Sequence, residues 1–478
     1  MQTGIHDASS SRSSDATIHF AYVCWIALVA AMGGLLFGYD WVVIGGAKPF
    51  YEVYFHLSSA NLIGWANSCA LVGCLVGALI AGEAGSRFGR KKVLLLSALV
   101  FAVSSVLTGW APVFGAFIAW RITGGVAIGL ASNISPLYIA EISPAAWRGR
   151  LVSLNQLAIV IGILAAQIAN WLIAEAVPAG GVVQAQSWNA QYGWRWMFTA
   201  VAAPAILFFL LALAIPESPR WLAGRMRTRE AEQVLARIGG EGYATAELAA
   251  IEDTLRAAEA GRAGWADLFN GPARRLVWVG MALAVLQQWS GINILFNYAE
   301  EIYKSAGYGV SGIMFNIVIT GAINLIFTVV AMSFVDRLGR RKLMLLGCAG
   351  VGLCHLGASL AYRAGWSGRG VLALTLGAIA CYSMSLAPIT WVLISEIFPN
   401  RLRSLGVSAA VAALWTASFA LTYTFPFLNR AFSTSGAFLL YAVVCFLGFV
   451  FVARFVPETR GKTLEEIEAQ AMGAAGAN

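Results

Sequence analysis

Residues 61–111 read NLIGWANSCALVGCLVGALIAGEAGSRFGRKKVLLLSALVFAVSSVLTGWA. Two apolar runs, 61–82 and 93–111, flank one short turn that carries Arg87, Arg90, Lys91 and Lys92. An unbroken apolar run of about 20 residues is long enough to cross the hydrocarbon core as a helix. It lacks the alternation of a barrel strand. In lipid the backbone can bond only to itself, which leaves helices or closed barrels. The stretch is therefore read as a helical hairpin that crosses a membrane twice, with its basic turn on one side.

The rest of the chain repeats this pattern. Of 478 residues, 59% are hydrophobic and 12% charged, against about 45–50% and 25% in a soluble domain. Twelve spans are expected, at 19–46, 61–82, 93–111, 113–140, 151–175, 194–215, 276–300, 311–334, 343–363, 370–397, 404–427 and 434–456. Basic residues recur between spans two and three, four and five (Arg148, Arg150), eight and nine (Arg337, Arg340, Arg341, Lys342), and ten and eleven (Arg401, Arg403). The positive-inside rule then places both termini in the cytoplasm of a cell-membrane protein. Met1 to Ile18 are polar and Ser-rich. Without an apolar core and cleavage site, no removable leader is expected there.

The net charge of +8 is spread over these loops and suggests no nucleic-acid partner. The seven cysteines fall inside apolar runs and read as packing residues, and the four histidines form no metal-ligand pair. One long polar insert, 216–275, interrupts the spans. Val234, Leu235 and Ile238, and again Leu248, Ile251 and Leu255, recur there at helical spacing, as in amphipathic cytoplasmic helices. The two halves also repeat. Gly89-Arg90-Lys91-Lys92 matches Gly339-Arg340-Arg341-Lys342, Glu141…Arg148 matches Glu396…Arg403, and Pro216-Glu217-Ser218 matches Pro457-Glu458-Thr459. The expected organisation is a polar tail (1–18), a six-helix bundle (19–215), a helical linker (216–275), a second six-helix bundle (276–456) and a tail (457–478). The fold class is an all-α membrane protein built as a parallel 6+6 repeat.

Particular segments carry a closer likeness: GLLFGYD at 34–40, RITGG at 121–125, PESPRW at 216–221, QQWSGIN at 287–293 and PETRGKT at 457–463. In this order and at these span ends, the chain resembles the sugar porter family of the major facilitator superfamily over 19–468. The likeness extends to its xylose–proton symporters and its facilitative glucose transporters. It implies monosaccharide transport by alternating access. The partners it implies are a hexose or pentose, the lipid bilayer and a proton as coupling ion, with a monomer expected and no cofactor or metal.

Amides suit a polyhydroxylated ligand because each offers both donor and acceptor, and polar groups within membrane helices mark a pathway by default. Gln287, Gln288 and Asn293 surround Gly291 in span seven. The resemblance assigns these three to the sugar site, together with Gln156, Asn324, Phe37, Trp391 and Trp415. It departs from the family at Asn297, where relatives often carry a tyrosine, and at Leu414 and Ser418, where they often carry amides. Arg90, Glu141, Arg148, Asp336, Arg340, Glu396 and Arg403 sit at basic span ends and read as gating charges, the plain alternative being topology signalling alone. Ser86 replaces a usual aspartate.

Asp40 and Arg121 lie at similar depth in spans one and four, roughly 15 Å below the outer surface at about 1.5 Å per residue. Burial raises an aspartate pKa and a neighbouring arginine lowers it, so an alternately wet and dry pair could exchange a proton. Proton-coupled relatives carry Asp at this position and facilitative ones Asn. Proton symport is therefore expected, with a facilitative uniporter as the alternative and a sugar sensor as a more distant one. The sensor is disfavoured because the chain ends ten residues after Glu468, without a long signalling tail. A primary pump lacks a P-loop, since Val456 stands where Gly461-Lys462-Thr463 would need a glycine. No nucleophile–base constellation suggests an enzyme.

Overall fold

The computed structural model describes residues 18–177, 183–260, 265–270, 274–366, 368–398 and 402–458. Among them the secondary structure is helical, without strands. Eleven helices are long and apolar enough to cross a membrane. The last, Arg403–Phe455, turns at Ser433 (φ 60°) and so supplies two spans, twelve in all. The protein is a multi-pass membrane protein.

Span one runs Phe20–Tyr54, longer than its apolar run, because it continues through Lys48 and Glu52. Spans two to six are Ala60–Phe88, Arg90–Gly109, Phe114–Ile142, Arg148–Ile173 and Asn189–Ala214. Span seven, Arg274–Asn297, breaks at Ser290-Gly291 and continues as the short helix Ala299–Ser305. Spans eight and nine are Val310–Leu338 and Arg340–Arg363, and span ten, Arg369–Glu396, breaks at Ser385. The span-ten break falls inside a run read as continuous, whereas the span-seven break falls at the glycine flanked by Gln287, Gln288 and Asn293.

Close packing rests on small residues, as is usual where lipid gives helices no hydrophobic drive to associate. A side chain at Gly38 would collide with the Ile159 carbonyl, which fixes span one on span five. One at Gly73 would collide with the Ile122 carbonyl, which fixes span two on span four. Across the halves, span two lies on span eleven and span five on span eight.

The two basic turns are built alike. Gly89 (φ 95°) and Gly339 (φ 88°) take a left-handed conformation that only glycine adopts freely. Beyond each glycine a carboxylate caps the next helix. Glu217 accepts from the Arg90 and Lys91 amides at 2.9 and 3.1 Å. Glu458 accepts from those of Arg340 and Arg341 at 3.0 and 3.2 Å. A negative charge at a helix N-terminus is favourable, and this explains the repeated Pro-Glu dipeptides. The linker forms Pro219–Gly224 and Thr228–Ala260, the latter bent at Gly239-Gly240, and it buries Val234, Leu235, Ile238, Leu248 and Ile251. His19 ties the start of span one to it through the Arg237 carbonyl (3.0 Å) and the Ile238 carbonyl (2.8 Å). The Asp336 side chain, residues 1–17 and the tail beyond 458 lie outside the described residues.

Candidate functional site

Gly291, at φ 87°, ends the first arm of span seven and turns the chain so that residues on both sides of the break face one another. The Asn293 amide donates to Gln288 Oε1 at 2.5 Å and to Ser418 Oγ at 3.2 Å. Gln288 Nε2 donates to Gln287 Oε1 at 3.2 Å. Gln287 Nε2 reaches the Leu386 and Ala387 carbonyls, both at 3.2 Å, just past the break in span ten. Two interrupted helices thus meet through one chain of buried amides.

Beside it, Arg121 Nη1 donates to both carboxylate oxygens of Asp40 at 2.9 Å, with each residue 4% exposed. A buried charge is tolerable only when paired. The pair lines a small cavity with Phe37, Trp41, Asn67, Asn297 and Trp415. Phe37 meets Trp415 edge-on at 5.8 Å between ring centroids. Trp41 Nε1, Asn67 Oδ1, Asn297 Oδ1 and Trp415 Nε1 have no hydrogen-bond partner among the described residues, and neither does Asn293 Oδ1. Native interiors leave few such atoms. Here donors and acceptors gather around one charged pair and the aromatic side chains of Phe37, Trp41 and Trp415, groups able to engage hydroxyls.

The remaining residues singled out by sequence are less concentrated. Gln156 is half-buried on span five. Asn324 is buried and accepts from the Ser383 hydroxyl at 2.6 Å. Trp391 is 39% exposed, six residues beyond the span-ten break at Ser385. At the basic end, Arg90 grips Glu141 with two bonds of 2.9 and 2.8 Å, and Ser218 donates to the same carboxylate at 2.6 Å. Arg340 lies 3.5 Å from Glu396. Arg148 and Arg403 instead donate to backbone carbonyls, of Ala140 (3.1 Å) and Phe398 (3.4 Å).

Two features escaped the sequence reading. At the end opposite the basic loops, Lys48 of span one, 2% exposed, meets Glu52 (2.9 Å), Glu300 (3.4 Å) and Glu301. Nearby, Tyr423 donates to Asn61 at 2.8 Å and Arg430 to the Ser58 carbonyl at 2.7 Å, also across the halves. The signal was present as Lys48 and Glu52 at i, i+4 and as adjacent Glu300-Glu301, but ending span one at 46 hid it. Gln167, 1% exposed, reaches Thr320 of span eight at 3.4 Å. It follows Gln156 by about three turns, on the same helix face.

The model of a family described as sugar (and other) transporter matches residues 26–471. The chain belongs to the sugar transporter family. It is 38% identical to the D-xylose-proton symporter of Escherichia coli K12, over 94% of this chain and 96% of that one. It is also 38% identical to the arabinose-proton symporter of Bacillus subtilis 168, over 94% of each. Its structure matches the partially occluded inward-open conformation of the E. coli xylose transporter XylE, with TM-score 0.82, 34% identity, and 93% and 100% of the two chains covered. The form of that transporter bound to 6-bromo-6-deoxy-D-glucose matches at TM-score 0.79 and 36% identity, over 94% and 99%. The family and these relatives are transporters, and the two halves of this member share their basic turns and the carboxylates that cap them, while the breaks of spans seven and ten have no counterpart in the continuous spans one and four.

Proposed function

We propose that this protein takes up a monosaccharide together with a proton, by alternating access across the cell membrane, with its basic loops and both termini in the cytoplasm. Asp40 is the proton-carrying group and Arg121 its partner. Gln287, Gln288 and Asn293 bind sugar hydroxyls, with Gln156, Asn324, Phe37, Trp391 and Trp415 completing the site. The bundles 19–215 and 276–456 rock about it, joined by the linker 216–275. The conformation described here faces inward, because Lys48, Glu300 and Glu301 bridge the bundles at the outer end. Arg90 with Glu141 and Arg340 with Glu396 act as gating pairs at the inner end, beside Arg148, Arg403 and Asp336.

One observation carries the reading. The Asp40–Arg121 pair opens onto the same cavity as Phe37, Asn297 and Trp415, so a change in wetting or ligand contact there acts directly on the carboxylate. The resemblance to a D-xylose-proton and an arabinose-proton symporter supports pentose uptake. The test is counterflow and uphill accumulation in proteoliposomes, with D-xylose, L-arabinose and D-glucose under an imposed proton gradient. Symport predicts accumulation that a protonophore abolishes. Accumulation-free exchange that ignores the protonophore would make the protein a facilitator, and binding without exchange a sensor.

A further inference from the structure

A continuous helix would satisfy the Ser290 carbonyl with the amide of Ile294. At the break that amide bonds instead to the Gly291 carbonyl, at 3.1 Å. The Ser290 carbonyl is left inside the protein, in a residue that is 0% exposed. Its own hydroxyl is committed to the Gln287 carbonyl at 2.8 Å. The partner comes from another span: His355 of span nine, 1% exposed, places Nε2 2.8 Å from the Ser290 oxygen. A carbonyl only accepts, so Nε2 carries the hydrogen. Cys445 Sγ stands off at 3.7 Å and is a weak donor. The imidazole is held by Phe438 and Tyr441 of span twelve, at ring distances of 5.4 and 6.1 Å. Tyr441 also fills the space beside Gly291 that a side chain would need.

We propose that His355 is a positioning residue: by donating to the Ser290 carbonyl it pins the span-seven break in the geometry that brings Gln287, Gln288 and Asn293 together. Without that donor the buried carbonyl has one good alternative, the Ile294 amide, and taking it re-forms the helix through Gly291. Re-forming the helix changes the rotational phase of everything beyond, at about 100° per residue, and so turns Asn293 away from Gln288. The inference rests on the amides being the sugar site for its transport consequence, but not for its structural one.

The test compares His355→Gln, whose amide nitrogen reaches where Nε2 stood, with His355→Asn, which is too short, in the full-length protein. Hydrogen–deuterium exchange of peptides covering 286–298 reads the hinge without any sugar. Counterflow of D-xylose reads its consequence. The expected result is exchange and KM within twofold of the parent for Gln. For Asn, exchange should be about tenfold faster and KM about tenfold higher, the scale of one buried hydrogen bond, with the maximal rate nearly kept. Equal behaviour of the two variants, whether both intact or both impaired, overturns the proposal. If His355→Asn does not fold, His355→Met against His355→Gln makes the same comparison, since both fill the site and only one donates. A parent protein that moves none of the sugars would sink the transport reading while the exchange data still decide the hinge.

Discussion

At the outer end, Lys48 of span one meets Glu300 and Glu301 beyond span seven, so an ion cluster crosses from one half to the other. At the inner end, Arg90 meets Glu141 and Arg340 meets Glu396, each within its own half. The glutamates that cap the basic turns also stay within their halves. The same side-chain types thus do two jobs. At the outer end the ion pairs join the two halves. At the inner end they join neighbouring helix ends of one half, the contacts proposed above as gates. The outer cluster is also the more deeply buried at its cation: Lys48 is 2% exposed, Arg90 14% and Arg340 16%.

The sharpest way to break this contrast is Lys48→Met. It leaves Glu52, Glu300 and Glu301 facing one another without their shared cation. Removing one partner of a buried pair costs about 3 kcal/mol or more, roughly a hundredfold shift at 1.36 kcal/mol per decade. The expected outcome is a protein biased to outward-open. It is read by thiol labelling from each side of single cysteines placed along span one, in a background without native cysteines. An unchanged labelling ratio would mean that the outer closure rests on packing alone.

Asp40→Asn leaves both ends intact and so separates coupling from gating. One proton crossing 100 mV supplies about 2.3 kcal/mol, enough for roughly 50-fold accumulation. The variant should lose that accumulation and keep downhill counterflow. If it still concentrates sugar, the carboxylate is not the coupling site.

Gln288→Ala acts between the two ends. It removes the acceptor of the Asn293 amide and, on the proposed function, a sugar ligand, and should raise the D-xylose KM about tenfold, at about 1–2 kcal/mol. Labelling from either side should not move. A wild-type KM would remove Gln288 from the site.

Arg340→Gln should do least. The pair is 3.5 Å long, with side chains 16% and 27% exposed, and partly solvated pairs are worth about 1 kcal/mol or less. Because the pair is formed in the inward-facing conformation, a shift in the labelling ratio of a few fold at most is expected. No drift, with only a lower melting temperature, would make the inner pairs braces and not gates.

Much of this was legible in the chain before any coordinates. The twelve spans, the repeat and the amide cluster follow from apolar run length, offsets and residue type. The pairing of Asp40 with Arg121 followed from equal depth in two spans of one half, and it is present at 2.9 Å. What stayed hidden was the break at Ser385, inside a span read as continuous over 370–397. Gly291 was legible as a residue that can loosen span seven, and the turn at Ser433 falls in the gap expected between spans eleven and twelve. Lys48 was hidden for the opposite reason: its charge marked the end of a hydropathy run, although the helix continues to Tyr54.

By itself, then, the sequence determined that this is a helical membrane protein of two similar halves with polar groups in its interior. Backbone hydrogen bonding in lipid admits helices or closed barrels, and unbroken apolar runs of about 20 residues select helices. Only the tertiary structure decided which polar groups meet. That Gln287 binds the span-ten break, that Lys48 is shared by carboxylates from two halves, and that a lone histidine satisfies the Ser290 carbonyl are all pairings between distant segments. They depend on how close glycine-lined helices approach and on which way each side chain turns at a break. Such geometry is fixed by packing in three dimensions and leaves no periodic trace along the chain.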